Sequence, residues 1–129
     1  METADKIDEI VRAFHMMWDN YPEMVRLIDR RFNIIAGNPA YYQMGGQDGV
    51  KCNTGNPALH KGCQAMNALK TQETRTQRSE VEGVIWETYW IPVSGESDYY
   101  VHFTNGFNAY KNLKMAKAAS NQKNADEKQ

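Results

Sequence analysis

Apolar side chains recur at spacings of three and four over residues 5–18: Ile7, Ile10, Val11, Phe14, Met17 and Trp18. That period gathers them on one face and predicts an amphipathic helix. Asp5 can cap its start, and Asp8 and Glu9 suit the positive end of its dipole. Pro22 ends it by disfavouring helix at Tyr21. "EMVRLID" and "FNIIAG" then predict two short strands joined by a tight turn at "RR", an antiparallel hairpin. "NPAYYQM" predicts a short helix, with Asn38 as N-cap and Pro39 at the first helical position. "GGQDG" breaks it. "NPALHKGCQAMNALKTQE" repeats the start signal at Asn56–Pro57 and brings Leu59, Cys63, Met66 and Leu69 or Lys70 near one helical face.

After residue 73 the pattern changes to alternation. "TRTQRSEV" is polar and extended, an edge strand, and "EG" turns the chain. "VIWETYWIPV" places Val84, Trp86, Thr88 and Trp90 on one face and Ile85, Glu87, Tyr89 and Ile91 on the other. "SGESD" is a turn and "YYVHFTNGF" a further strand. "NAYKNLKMAKAASNQKNADEKQ" starts as a helix and becomes a polar tail. Helix, two strands, a helical middle and three strands predict an α+β domain with an antiparallel sheet.

Composition narrows the function. At 129 residues, 41% hydrophobic, the chain is one domain with one modest core. A net charge of −1, from 15 basic and 16 acidic residues, gives no global field for nucleic acid or an anionic membrane. No run approaches the roughly 18 apolar residues of a membrane span. "METADKIDEI" lacks the plan of a signal peptide. A cytoplasmic protein or domain is expected, its two cysteines reduced. No Gly-x-Ser-x-Gly, phosphate loop or His-Glu-x-x-His occurs, so no enzyme is expected.

Specific stretches resemble a PAS domain. "LIDRRFNIIAGNPAYYQMGG" is similar to the opening PAS hairpin, with Asp29 ending one strand and Asn38 leading into a short helix. "VIWETYWIPVSGESDYYVHF" resembles the closing hairpin, with Pro92 near the end of its first strand. "FTNGFNAY" stands where many PAS domains carry Asp-Ile-Thr, which is absent here. The likeness covers residues 20–107. It implies a five-stranded antiparallel sheet, short helices over one face, a cavity between them and a leading amphipathic helix. It divides the chain into a dimerisation helix at 1–19, a PAS domain at 20–110, and a helix start with polar tail at 111–129. It also implies a sensory module that binds haem, flavin, a metabolite or nothing. A homodimer through residues 7–18, a small-molecule ligand and a signalling output domain or protein are the expected partners.

"CNTGNPALHKGC" holds both cysteines and His60. Its spacing suits neither a structural zinc site, which needs four ligands, nor a structural disulfide in this compartment. "VKCNTG" does not match the Asn-Cys-Arg setting of a flavin photoswitch. "HKGCQAMNALKTQE" resembles the segment that supplies the proximal histidine in oxygen-sensing PAS domains of rhizobial histidine kinases. On that resemblance haem is the leading cofactor, His60 its axial ligand and Arg78 a distal residue. Cys63 and Gln64 depart from the pattern, and a helix-start histidine without haem stays open. Trp86, and Glu87 if it faces the cavity, complete the candidate cofactor contacts. The further alternative is a ligand-free dimerisation module.

Overall fold

The computed structural model describes residues 2–52 and 63–127. Helix α1 (Glu2–Trp18) leads into strands β1 (Val25–Asp29) and β2 (Ile34–Gly37), followed by helices α2 (Pro39–Gln43) and α3 (Ala65–Thr71). Strands β3 (Arg75–Val81), β4 (Val84–Pro92) and β5 (Tyr99–Asn105) follow, and α4 (Phe107–Glu127) closes the order. The strands form one five-stranded sheet, β2-β1-β5-β4-β3, antiparallel throughout. This is the α+β arrangement expected from the sequence, with β3 at the edge.

The two faces of the sheet carry different layers. Ile28, Trp90 and Tyr100 point to the side covered by α2 and α3, and pack with Ile34, Tyr41 and Leu69. Val25, Leu27, Val101 and Phe103 point to the other side and pack under Phe14 of α1, with Ile10, Val11 and Trp18 beside it. Strands covered on both faces need apolar residues at odd and even positions alike, which "VRLI" and "YYVHF" supply in all but a few places. Each fully buried large apolar side chain contributes about 1.5–3 kcal/mol.

Ile10, Val11, Phe14 and Trp18 of the stripe expected to mediate a dimer pack within their own chain. Phe14 is buried against the sheet, whereas Met16 and Met17 each leave 78% of their surface exposed. The physical reason is the sheet's outer face. Its apolar residues need a cover, and α1 is the amphipathic element that provides one.

Two polar devices hold the opening hairpin. Asp29 accepts from the backbone N–H groups of Arg31 and Asn33, both at 2.9 Å, and closes the turn in which Phe32 takes φ 68°. Asn38 is fully buried, and its Oδ1 accepts from the N–H groups of Val25 (3.0 Å) and Tyr41 (3.2 Å). Its Nδ2 lies within bonding distance of the Trp18, Tyr21 and Glu23 carbonyls, nearest to Glu23 at 2.8 Å. One side chain thus ties the end of α1, the start of β1 and the first turn of α2. Beside it, the Tyr41 ring lies so close over Gly37 that any side chain there would overlap it.

The C-terminal segment differs from expectation. The polar tail predicted after a short helix start continues as helix to Glu127. Residues 109–119, "AYKNLKMAKAA", are mostly good helix formers with no Gly or Pro, so local propensity sustains a helix that has no apolar face to bury.

Candidate functional site

The helix-facing side of the sheet carries one transverse row of residues. Arg26 on β1 pairs across to Gly37 on β2 and to His102 on β5. His102 pairs with Trp90 on β4, and Trp90 with Arg75 on β3. Residues directly opposite in antiparallel strands share a face, so Gly37, Arg26, His102, Trp90 and Arg75 line up across all five strands. The row is polar in the middle of an apolar layer. Ile28 and Tyr100 flank it from the next positions along β1 and β5, and Leu69 of α3 packs in the same cluster.

Three nitrogen donors in this row are buried with no hydrogen-bond partner among the described residues: Arg26 Nε, Trp90 Nε1 and Arg75 Nε. Buried donors are normally satisfied, and each unsatisfied one costs about 1–3 kcal/mol. Arg75 has a second outlet, since its Nη2 donates to Thr71 Oγ1 at 3.3 Å. Burial holds the Arg26 guanidinium below its ordinary pKa, and the groups that act on it from nearby are Cys52, Tyr41 and Tyr100. The His102 ring stacks on Trp90 with centroids 5.2 Å apart and planes 22° apart. Its Nδ1–H donates to the Tyr89 carbonyl at 2.9 Å, which fixes ring orientation and tautomer.

Cys52 and Tyr100 border the row. The thiol lies 4.0 Å from the Tyr100 hydroxyl. Burial pushes the Tyr100 phenol far above its ordinary value, and burial also raises the Cys52 thiol. Both groups are acids whose folded pKa exceeds the unfolded one. The stability they carry is full below their ordinary values of 10.0 and 9.0 and is lost as pH rises through them. For Tyr100, only 1% exposed, the slope approaches about 1.4 kcal/mol per pH unit. Tm is expected to fall above roughly pH 9, with Tyr100→Phe and Cys52→Ala each flattening the alkaline limb. An unchanged limb in Tyr100→Phe would show that its phenol is not what titrates.

The residues singled out from the sequence do not meet at this row. Arg78 is exposed on β3 and sits directly opposite Glu87, on the outer face of the sheet rather than the helix-facing one. The Glu87 carboxylate accepts from the Tyr89 hydroxyl at 2.7 Å on that same outer side. Strand alternation excludes both from a space under α2 and α3. Trp86 shares the face of Trp90 but lies four residues along β4, about 13 Å away. Its ring packs against Tyr110 of α4 with centroids 5.8 Å apart and lies close over Gly106. His60, with the Asn56–Pro57 start signal and Leu59, lies outside the described residues. The described residues assigned to haem therefore do not converge on a haem site. Among the described residues no three His, Cys, Asp or Glu side chains are grouped to share a metal ion.

Sequence reasoning missed Arg26. The signal was there: a charged residue inside "VRLI", a strand with apolar neighbours on both sides.

The sheet order and the helices over one face are those of a PAS fold. The sequence matches no family model and no curated protein. Solved structures do match. One is a domain of an HTR-like protein from Haloarcula marismortui ATCC 43049, at 17% identity and TM-score 0.51, covering 66% of this chain and 97% of that one. Another is the PAS domain of Bordetella pertussis BvgS, at 16% identity and TM-score 0.54, covering 86% of this chain and 98% of that one. At these identities the likeness is one of fold. No described helix is long and apolar enough to cross a membrane.

Proposed function

We propose that this chain is a PAS-type signalling module that binds a small molecule between the helix-facing side of its sheet and the α2–α3 layer. The observation that carries this reading is the row of buried donors without partners, Arg26 Nε and Trp90 Nε1 foremost. A core meant only for packing would place apolar groups there, because unmet donors cost stability that a ligand's acceptors would return. A binding module, not a catalyst, fits the row: it holds fixed donors and a half-buried guanidinium with a buried Nε and, among the described residues, no nucleophile paired with a base. The test is native mass spectrometry of the purified protein together with a thermal screen of metabolites. Ligand that binds only the folded state raises Tm by mass action. A bare mass together with a flat screen would count against the proposal.

A haem-sensing form of this reading has less support, since Arg78 and Glu87 face away from the helical layer. An absorption spectrum after haem addition tests it. A Soret band that is lost in His60→Ala would restore it.

A second reading, a module that works by self-association, is favoured by Met16 and Met17, which stand exposed on α1 away from the sheet.

A further inference from the structure

Among the described residues, none supplies a carboxylate counter-charge to Arg26. Its Nε is shut off from solvent and makes no hydrogen bond. Ion pairs between described residues form elsewhere, at Lys6–Glu96 and Arg30–Asp98. The groups acting on Arg26 are a thiol and two phenols, none of them a carboxylate. Residues 53–62, "NTGNPALHKG", contain no Asp or Glu in their sequence. A buried charge is tolerated when it is paired and hydrogen-bonded.

From this we infer that the row binds the carboxylate of a small apolar acid, with the Arg26 guanidinium as its counter-charge. This rests on the ligand-binding reading above and specifies its ligand. Guanidinium presents a planar fork that matches a carboxylate with two parallel N–H···O bonds. Trp90 Nε1, donor only, is the second unmet group in the row and suits an oxygen acceptor. The neighbours Ile28, Tyr100 and Leu69 are apolar or aromatic, so the rest of the ligand is apolar too. Arg75, the other arginine of the row, stands three strands away, about 14 Å at roughly 4.8 Å per strand, so the charge beside the ligand is that of Arg26 alone. A phosphate dianion would leave a charge uncompensated among these side chains.

The experiment uses the full chain. Benzoate, phenylacetate, isovalerate and hexanoate are each compared with the corresponding uncharged amide, and inorganic phosphate is added separately. At least one acid is expected to raise Tm by several degrees at saturating concentration, with no amide matching it. Arg26→Met should keep or raise the Tm of the ligand-free protein, because it removes a half-buried charge whose buried Nε has no acceptor. It should weaken the acid at least about thirtyfold. Arg26→Lys, which keeps the charge and loses the fork, should fall between. An amide that binds as tightly as its acid, phosphate binding without any acid, or full affinity in Arg26→Met each overturns the inference and leaves the ligand-binding reading standing. A large drop in ligand-free Tm in both variants assigns the arginine to structure and overturns it as well. Silence from all four acids overturns it too, and the metabolite screen then decides separately whether any ligand binds.

Discussion

Asn38→Leu is expected to lower the unfolding free energy by about 4–6 kcal/mol, against about 5–15 kcal/mol for a whole domain. Leucine fills a similar volume but offers no polar atom. The Val25 N–H then loses its acceptor, and the carbonyls of Glu23 and Tyr21 lose their donor, all around a fully buried position. Each buried group left unmet costs about 1–3 kcal/mol. The Tyr41 N–H is partly spared, because it also reaches the Asn38 backbone carbonyl at 3.0 Å. Asn38→Asp separates the two halves of the role. It keeps the acceptor for Val25 and Tyr41 but turns an oxygen toward the carbonyls, so its folded pKa is raised above the unfolded value of about 3.9. A raised carboxyl means that the stability of this variant is full below the unfolded pKa and is lost as pH rises through the folded one. Urea denaturation should therefore find Asn38→Asp weak at pH 7 and recovering toward pH 4, with Asn38→Leu equally poor at both. A cost under about 1 kcal/mol for Asn38→Leu would show that water replaces the side chain.

What was legible in the sequence follows from how local each signal is. The hairpin from Asp29 to Asn38 could be read because an Asx turn and an N-cap act within four residues of their own position. The alternation of β4 was equally plain, and Trp86, Thr88 and Trp90 do share a face. The site was not legible in the same way. Arg26, His102 and Trp90 are far apart in sequence and meet only through strand register, which pattern alone does not set. Glu87, an acid in an apolar strand, is a ligand contact only if it faces the cavity. Its odd-numbered position sends it to the outer face, where Tyr89 receives it. The fate of α1 was hidden for a similar reason. Periodicity shows that a helix has an apolar face, not which surface covers it.

That last point sets the second large effect. Charging Phe14, as in Phe14→Glu, is expected to cost about 3–5 kcal/mol, the range for losing a large buried aromatic from a packed core. Phe14 is 4% exposed and sits over Val25, Leu27, Ala36 and Phe103. Glutamate forfeits that contact and must either bury a charge or swing α1 off the sheet, uncovering the outer face. Met16→Glu and Met17→Glu are the controls. Both side chains are 78% exposed, so their effect on stability should stay within about 0.5 kcal/mol. Light scattering completes the comparison. If α1 only covers its own sheet, the methionine variants keep the mass of the parent protein and Phe14→Glu loses near-native packing. A smaller mass in Met16→Glu or Met17→Glu at unchanged stability would place an intermolecular contact on the outward side of the helix. A stable, folded Phe14→Glu monomer derived from a dimeric parent would instead overturn the intramolecular role of the stripe.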